Sequence, residues 1–204
     1  MLTARTLYDK LWDSHLVTQA PGHPAVLYVD LQLLHDGTFR RAFEILAERG
    51  LRVANPARHV GVTDHCLPTR GPLDQLPPIV SGLVAECQRH SIRVIGPQDD
   101  SQGIVHIIGP QEGLTQPGMV IVCADSHTTT HGALGALGLV VGTTQIVHAL
   151  ATNSILQRRA QNMRINVTGR MNHGTTAKDL LLAIIRSLGT AAASGFALEY
   201  TGQA

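Results

Sequence analysis

No block of lysine or arginine runs through this chain: Lys plus Arg number 16, Asp plus Glu 15, and the formal net charge is +1. A nucleic-acid or anionic-membrane surface needs a concentrated basic footprint, so neither partner is expected and the ligand is expected to be small. No apolar stretch reaches the ~18–20 residues that a membrane span requires. The segment Met1–Leu7 lacks the long apolar core of a secretory signal, which makes a cytoplasmic protein the expectation. Cysteine is scarce as well: Cys66, Cys87 and Cys123 are an odd set at wide spacing, fitting neither a disulfide framework nor a C-x-x-C metal knuckle. Cys87 and Cys123 read as buried thiols, whereas Cys66 adjoins Asp64-His65.

A chain of 204 residues with 44% hydrophobic content is long and apolar enough for a real core, and it reads as one domain. Histidine is plentiful, with 11 against 15 acidic residues, and several histidines close apolar runs. The periodicity predicts helices over 4–14, 38–49, 79–87, 143–156 and 176–188, the last with a buried stripe of Leu180, Leu181, Ile184 and Ile185. It predicts strands over Ala25–Asp30, His59–Thr63, Ile92–Ile95, Met119–Cys123 and Met163–Thr168, and one more from Phe196, with a turn at 68–78. The segment Gln102–Pro110, bracketed by glycines, is read as strand-like, embedding His106. This alternation indicates an α/β architecture with a largely parallel, doubly covered sheet.

In open α/β sheets ligands collect at the carboxyl ends of strands. Asp64-His65 follows one strand and Asp125-Ser126-His127 follows another, so with His106 they are expected to share one polar site. A carboxylate beside an imidazole sets its tautomer and raises its basicity, suiting it to proton transfer near neutral pH. Ser126 lacks the G-x-S-x-G surroundings of an activated nucleophile and is read as a substrate-binding hydroxyl. His127 and His131 have the four-residue spacing of a helical metal pair, but Thr128 stands next to His127 and the zinc-protease glutamate is missing, so metal ligation by them is not the favoured reading. Gly132, Gly135, Gly138 and Gly142 suggest a close approach of backbone or an anion. Arg158, Arg159 and Arg164 could meet a carboxylate, with solvated surface as the simpler assignment.

Taken together, Thr6–Trp12, Asp64-His65 with Pro68-Thr69, Gln102-Gly103-Ile104-Val105-His106, Pro117–Gly138, Thr176–Asp179 and Glu199–Gly202 carry a resemblance. The chain resembles the aconitase superfamily, and within it the large-subunit family of 3-isopropylmalate dehydratase. The resemblance runs end to end, and D-S-H-T-x-T-H-G-A-x-G-A-L beside Q-G-I-V-H makes it specific. It implies an aconitase-like three-layer α/β/α fold over residues 1–204. It also implies a hydro-lyase that isomerises 2-isopropylmalate to 3-isopropylmalate through an enzyme-bound alkene in leucine biosynthesis, working as a heterodimer with a small subunit. Carried over by position, Asp64 and His65 look like the pair that protonates the leaving hydroxyl, His106 and Asp125 a second hydrogen-bonded pair, Ser126 a substrate contact, and His127 a partner of the cofactor-bound water.

That cofactor is implied to be a [4Fe-4S] cluster on three cysteine thiolates from a later half of the subunit. None of the three cysteines here occupies those positions, so no metal ligand is expected in this chain. Other departures are Gln203 for Glu, Leu31-Gln32 for Arg-His, and Cys66 for Asn. Two readings stay open: an amino-terminal portion of a longer large subunit, which is favoured, or a short homologue without the cluster, acting as a hydroxy-diacid-binding partner or another hydratase or hydrolase. The diacid substrate within the superfamily is open too.

Overall fold

The computed structural model describes residues 4–68 and 75–203; Thr69 of the motif above and the turn residues 70–74 lie outside them. The chain order is α1 (Leu7–His15), β1 (Leu16–Thr18), β2 (Ala25–Tyr28), β3 (Leu31–His35), α2 (Phe39–Glu48), β4 (His59–Val62), α3 (Pro78–Arg89) and β5 (Arg93–Ile95). It continues with α4 (Val105–Gln111), β6 (Val120–Cys123), β7 (Leu137–Val140), α5 (Thr143–Thr152), β8 (Ser154–Gln157), β9 (Gln161–Thr168), α6 (Ala177–Leu188) and β10 (Phe196–Gln203).

Among the described residues, the main sheet has the order β5-β4-β3-β6-β7 and every pair in it is parallel. Its strands are short and apolar on both faces, as a sheet covered on both sides requires. The pleat sends alternate side chains to opposite layers. Leu34 and Val122 join the core beneath α2, α3 and α5, with Phe43, Leu46, Leu83, Ile146 and Leu150. Leu31, Leu33, Val60, Val62, Ile121 and Cys123 face the other way and pack with Val105 and Ile108 of α4. The three-layer α/β/α arrangement expected from the sequence is therefore present. Each fully buried Val, Leu or Ile in these layers contributes about 1.5–3 kcal/mol.

Where the chain departs from the sequence-based expectation, the reasons are local. The single strand expected over 25–30 is two strands in two sheets. Asp30 marks the switch: its Oδ2 accepts the Val120 N–H at 2.8 Å and a His15 Nε2–H at 2.7 Å, and its own N–H goes to the Val120 carbonyl. β2 then pairs antiparallel with β1 and β8, while β3 becomes the central parallel strand. The helix expected to run to Leu156 stops at Asn153, whose φ of 52° is left-handed. Residues Ser154–Gln157 then turn back as β8.

His106 is not in a strand but in the first turn of a helix. Val105, Ile108 and Gly109 are buried while Ile104 and Ile107 are exposed, which is a helical period hidden by apolar residues on both faces. α6 forms as expected, with Thr176 and Asp179 making a reciprocal capping box. Its stripe is not buried, however: Leu181 and Ile185 are exposed and Leu180 and Ile184 half-buried, because α6 contributes to neither buried core of the sheet. No helix among the described residues is long and apolar enough to cross a membrane.

Candidate active site

The order β5-β4-β3-β6-β7 makes β3 and β6 neighbours although the chain leaves them toward opposite edges of the sheet. Crossovers that diverge in this way leave a crevice at the carboxyl ends of the two strands, the usual ligand position in such sheets. The polar residues after β3, β4 and β6 all arrive there.

Asp125 follows β6 and lies at the centre of the cluster. Its Oδ2 accepts the His65 Nε2–H at 3.0 Å, and its Oδ1 accepts the His106 Nε2–H at 2.8 Å and the His127 backbone N–H at 2.7 Å. Burial works to raise this carboxyl, but the His127 N–H and the two imidazoles outweigh it and hold Asp125 well below the usual carboxylate range. Asp64, after β4, has its side chain 5% exposed. One of its oxygens accepts the His65 Nδ1–H at 2.6 Å and the other the Val105 N–H at 2.8 Å, so it orients the imidazole and caps α4 together. This cap is what brings His106 to the site.

His65 thus has a carboxylate on each ring nitrogen, and its side chain remains 34% exposed at the rim. Burial disfavours its charged form, yet hydrogen bonds to Asp64 and Asp125 more than compensate and its pKa is raised. The imidazolium is the favoured state of a ring that has two acceptors and no donor. Of the residues singled out from sequence, Asp64, His65, His106 and Asp125 therefore form one connected network. His127 joins through its backbone N–H, and its ring, 79% exposed, places Nδ1 3.3 Å from Asp125 Oδ1. Ser126 is exposed, and its hydroxyl is 3.4 Å from His127 Nδ1.

Three residues of this network escaped the sequence reading of the site. Asp36, just past β3, is fully buried; its Oδ1 accepts the N–H groups of Asp64 and His65 at 3.2 and 2.9 Å, and its Oδ2 that of Cys66 at 2.8 Å. His35 stacks on His65 with ring centroids 3.9 Å apart. It accepts the Gly37 N–H on Nδ1 and directs Nε2 toward the Ala124 carbonyl and the Thr38 hydroxyl. Burial lowers its pKa, which favours the neutral ring where it lies against His65. The third is His131, buried behind His106. The usable signal for the first two was His35-Asp36-Gly37 at the close of an apolar run, the same pattern that marked Asp64-His65.

His127 and His131 do not form a metal pair, since one ring is solvent-facing and the other has both nitrogens engaged inside the protein. Donor atoms of His35, Asp36, Asp64 and His65 lie within 4.8 Å of one another, and the hydrogen bonds above already occupy them. The cysteines cannot converge on a cluster. Cys87 packs in the core under α3 and Cys123 in the core on the opposite face of the sheet, and burial pushes both thiols up to about 12. Cluster ligation requires thiolates. Cys66 sits by Asp36 and Asp64, and burial together with those carboxylates raises it also. Arg159 is committed to Asp9 and Asp13 and lies over the Trp12 ring; Arg158 is exposed.

The family model described as the aconitase family (aconitate hydratase) matches residues 9–204. A relative named 3-isopropylmalate dehydratase large subunit from Roseiflexus castenholzii is 47% identical over 211 residues, covering 98% of this chain and 44% of that protein. One of the same name from Anaeromyxobacter dehalogenans is 44% identical over 210 residues, again 98% of this chain and 44% of the relative. The chain thus spans less than half the length of these relatives, and the matched region includes every residue of the cluster after β3, β4 and β6. On this match the chain belongs to the aconitase family.

Proposed function

We propose that this chain is part of the large subunit of a hydro-lyase that interconverts 2-isopropylmalate and 3-isopropylmalate through 2-isopropylmaleate, in leucine biosynthesis. The observation that carries the reading is the His65 imidazole held between Asp64 and Asp125 at an exposed rim. Elimination of water from a hydroxy diacid breaks a C–O bond and a neighbouring C–H bond; the carbon-bound proton would pass to a base supplied by the rest of the enzyme, and hydroxide is too poor a leaving group to depart unprotonated. A charged His65 gives its proton to the departing oxygen, which leaves as water. Asp64 and Asp125 lower the cost of keeping that ring charged and fix its direction. In the return step the neutral ring takes the proton back from the attacking water, as microscopic reversibility demands. His106 holds Asp125 from the buried side, Ser126 offers a hydroxyl to the substrate, and His127 stands at the solvent edge.

The [4Fe-4S] cluster of this reaction class would polarise the departing hydroxyl; its thiolates would come from outside these residues, because the three cysteines here do not converge. A small subunit would complete the site and read the variable group of the substrate. The names of the two relatives support this assignment of substrate.

The test is His65→Ala in the complete enzyme, assembled with the remaining large-subunit residues and the small subunit, with alkene formation from 2-isopropylmalate followed by ultraviolet absorbance. Loss of an acid–base group of this kind is expected to lower kcat by roughly 10²–10⁴-fold while the circular dichroism spectrum is unchanged. Turnover at the unsubstituted rate would overturn the assignment.

A further inference from the structure

Behind the rim a chain of buried polar groups continues into the protein. His106 turns its Nε2 to Asp125, and its Nδ1 lies 3.0 Å from Nε2 of His131; Nδ1 of His131 in turn lies 2.9 Å from the Thr115 hydroxyl. His131 is 0% exposed, and His106 and Thr115 are each 6% exposed, so no other partner reaches these atoms from solvent.

The packing around His131 is built to hold it. A Cβ on Gly109 of α4 would lie 3.1 Å from the His131 ring and 2.6 Å from the Thr115 hydroxyl, so the helix carries glycine where these two side chains sit. A Cβ on Gly138 of β7 would overlap the Thr128 carbonyl oxygen and touch the His131 Cβ. The short 3-10 helix Thr128–Leu134 that carries His131 is thereby pressed against the strand on one side and α4 on the other.

Hydrogen-bond direction follows from the chemistry at each end. A carboxylate can only accept, so His106 Nε2 carries a proton. When His106 holds that one ring proton, its Nδ1 presents a lone pair, which only a donor can satisfy. Burial pushes His131 down to about 4 and leaves it with a single ring proton at neutral pH. That proton belongs on Nε2, and Nδ1 accepts from the Thr115 hydroxyl.

We propose that His131 is a positioning residue for His106. By donating Nε2–H to His106 Nδ1, with Thr115 donating to it from behind, it fixes the His106 ring so that the one exchangeable proton of His106 faces Asp125 and the open rim. The chain has a fixed direction, from Thr115 through His131 and His106 to Asp125, and ends in the interior, so no proton is delivered along it from solvent. His131 acts through another side chain and touches no substrate. The inference rests on and deepens the role proposed above for His106, which holds Asp125 behind His65, but its test requires no turnover.

That test is nitrogen-15 NMR of the full chain, labelled at histidine. A scalar coupling across the hydrogen bond is expected between His131 Nε2 and His106 Nδ1, with the proton resident on His131 and the His106 proton on Nε2. A proton found on His106 Nδ1, or no coupling, would overturn the proposal. His131→Leu is expected to speed solvent exchange of the His106 Nε2 proton by about tenfold, the worth of one net hydrogen bond. His131→Gln, which keeps an N–H donor at similar reach, is expected to restore it; equal exchange in the Leu and Gln variants would count against a positioning role. The unsubstituted chain decides the direction even if the Leu variant fails to fold. Failure of turnover in the complete enzyme with the coupling intact would sink the catalytic reading and leave this one standing.

Discussion

The carboxylate of Asp36 accepts the backbone N–H of His65 at 2.9 Å, tying the loop after β4 to the end of β3. The same side chain also takes the N–H groups of Asp64 and Cys66. Asp36 is buried and accepts three backbone N–H groups, so its work is to hold the segment that presents His65. Asp36→Ala is expected to destabilise the fold by about 3 kcal/mol, since three backbone donors then lose their shared acceptor. A urea midpoint unchanged by the substitution would show that the loop finds other partners.

Asp125→Asn keeps the size of the side chain and removes the charge that both imidazoles share. An amide nitrogen facing His65 or His106 cannot accept a ring N–H, so one of the two rings must change tautomer or turn away. We expect kcat of the complete enzyme to fall by roughly 10²-fold or more, with a smaller change in KM. Steady-state kinetics with near-normal kcat would dissociate Asp125 from proton handling.

Stability should fall with acid through groups outside the rim. His59, 0% exposed in β4, and His131 have folded pKa values pushed down to about 4 by burial, against an ordinary value of 6.5. Below pH 6.5 the unfolded chain binds protons that the folded one refuses, so stability is full above that pH and is lost as pH falls toward 4. Each residue accounts for a loss on the order of 3 kcal/mol by pH 4. His65 opposes this: its raised pKa gives a contribution that is complete below pH 6.5 and fades as pH rises through its folded value. Urea midpoints between pH 7 and 4 for the parent and for His59→Gln test the sign, and an unaltered slope in the variant would exclude His59 as a source.

Two glycines in one segment should respond differently to the same substitution. Gly138→Ala puts a methyl group into the Thr128 carbonyl and is expected to cost about 1–3 kcal/mol, as overpacking does. Gly132→Ala meets open space and is expected to change stability by no more than about 0.5 kcal/mol. Thermal denaturation of both variants checks the contrast.

Thiol titration offers a direct view of the cysteines. In the folded chain Cys66 alone, half-buried in its loop, is expected to react with a neutral-pH thiol reagent, while Cys87 and Cys123 react only after denaturation. Anaerobic reconstitution with iron and sulfide is expected to leave this chain without a cluster; a stoichiometric [4Fe-4S] centre would contradict the separation of these thiols into opposite cores.

Much of the site was legible because its residues follow apolar runs directly. Val60-Gly61-Val62-Thr63-Asp64-His65 and Val120-Ile121-Val122-Cys123-Ala124-Asp125 each end a buried strand in a polar group, and that ending sets the group at the sheet's carboxyl edge. His35 and Asp36 obey the same rule but were missed. The apolar stretch from Ala25 to Leu34 carries no glycine or proline to show that it is two strands, and the break at Asp30 depends on partners from α1 and β6. His106 was recognised as a site residue in the wrong element, because β-branched residues on both faces of α4 hid its period.

Local sequence determined the alternation of strands with helices, the caps at Thr6 and Thr176, and the arrival of acids and imidazoles at strand ends, because each depends on neighbours a few residues apart. Strand order was decided elsewhere. Setting β6 beside β3 brings Asp125 within 3.0 Å of His65 across 60 positions of chain, and folding a 3-10 turn against α4 brings His131 to His106. Those approaches depend on how the crossovers pack against both faces of the sheet, a property of the whole core that no short stretch of residues encodes.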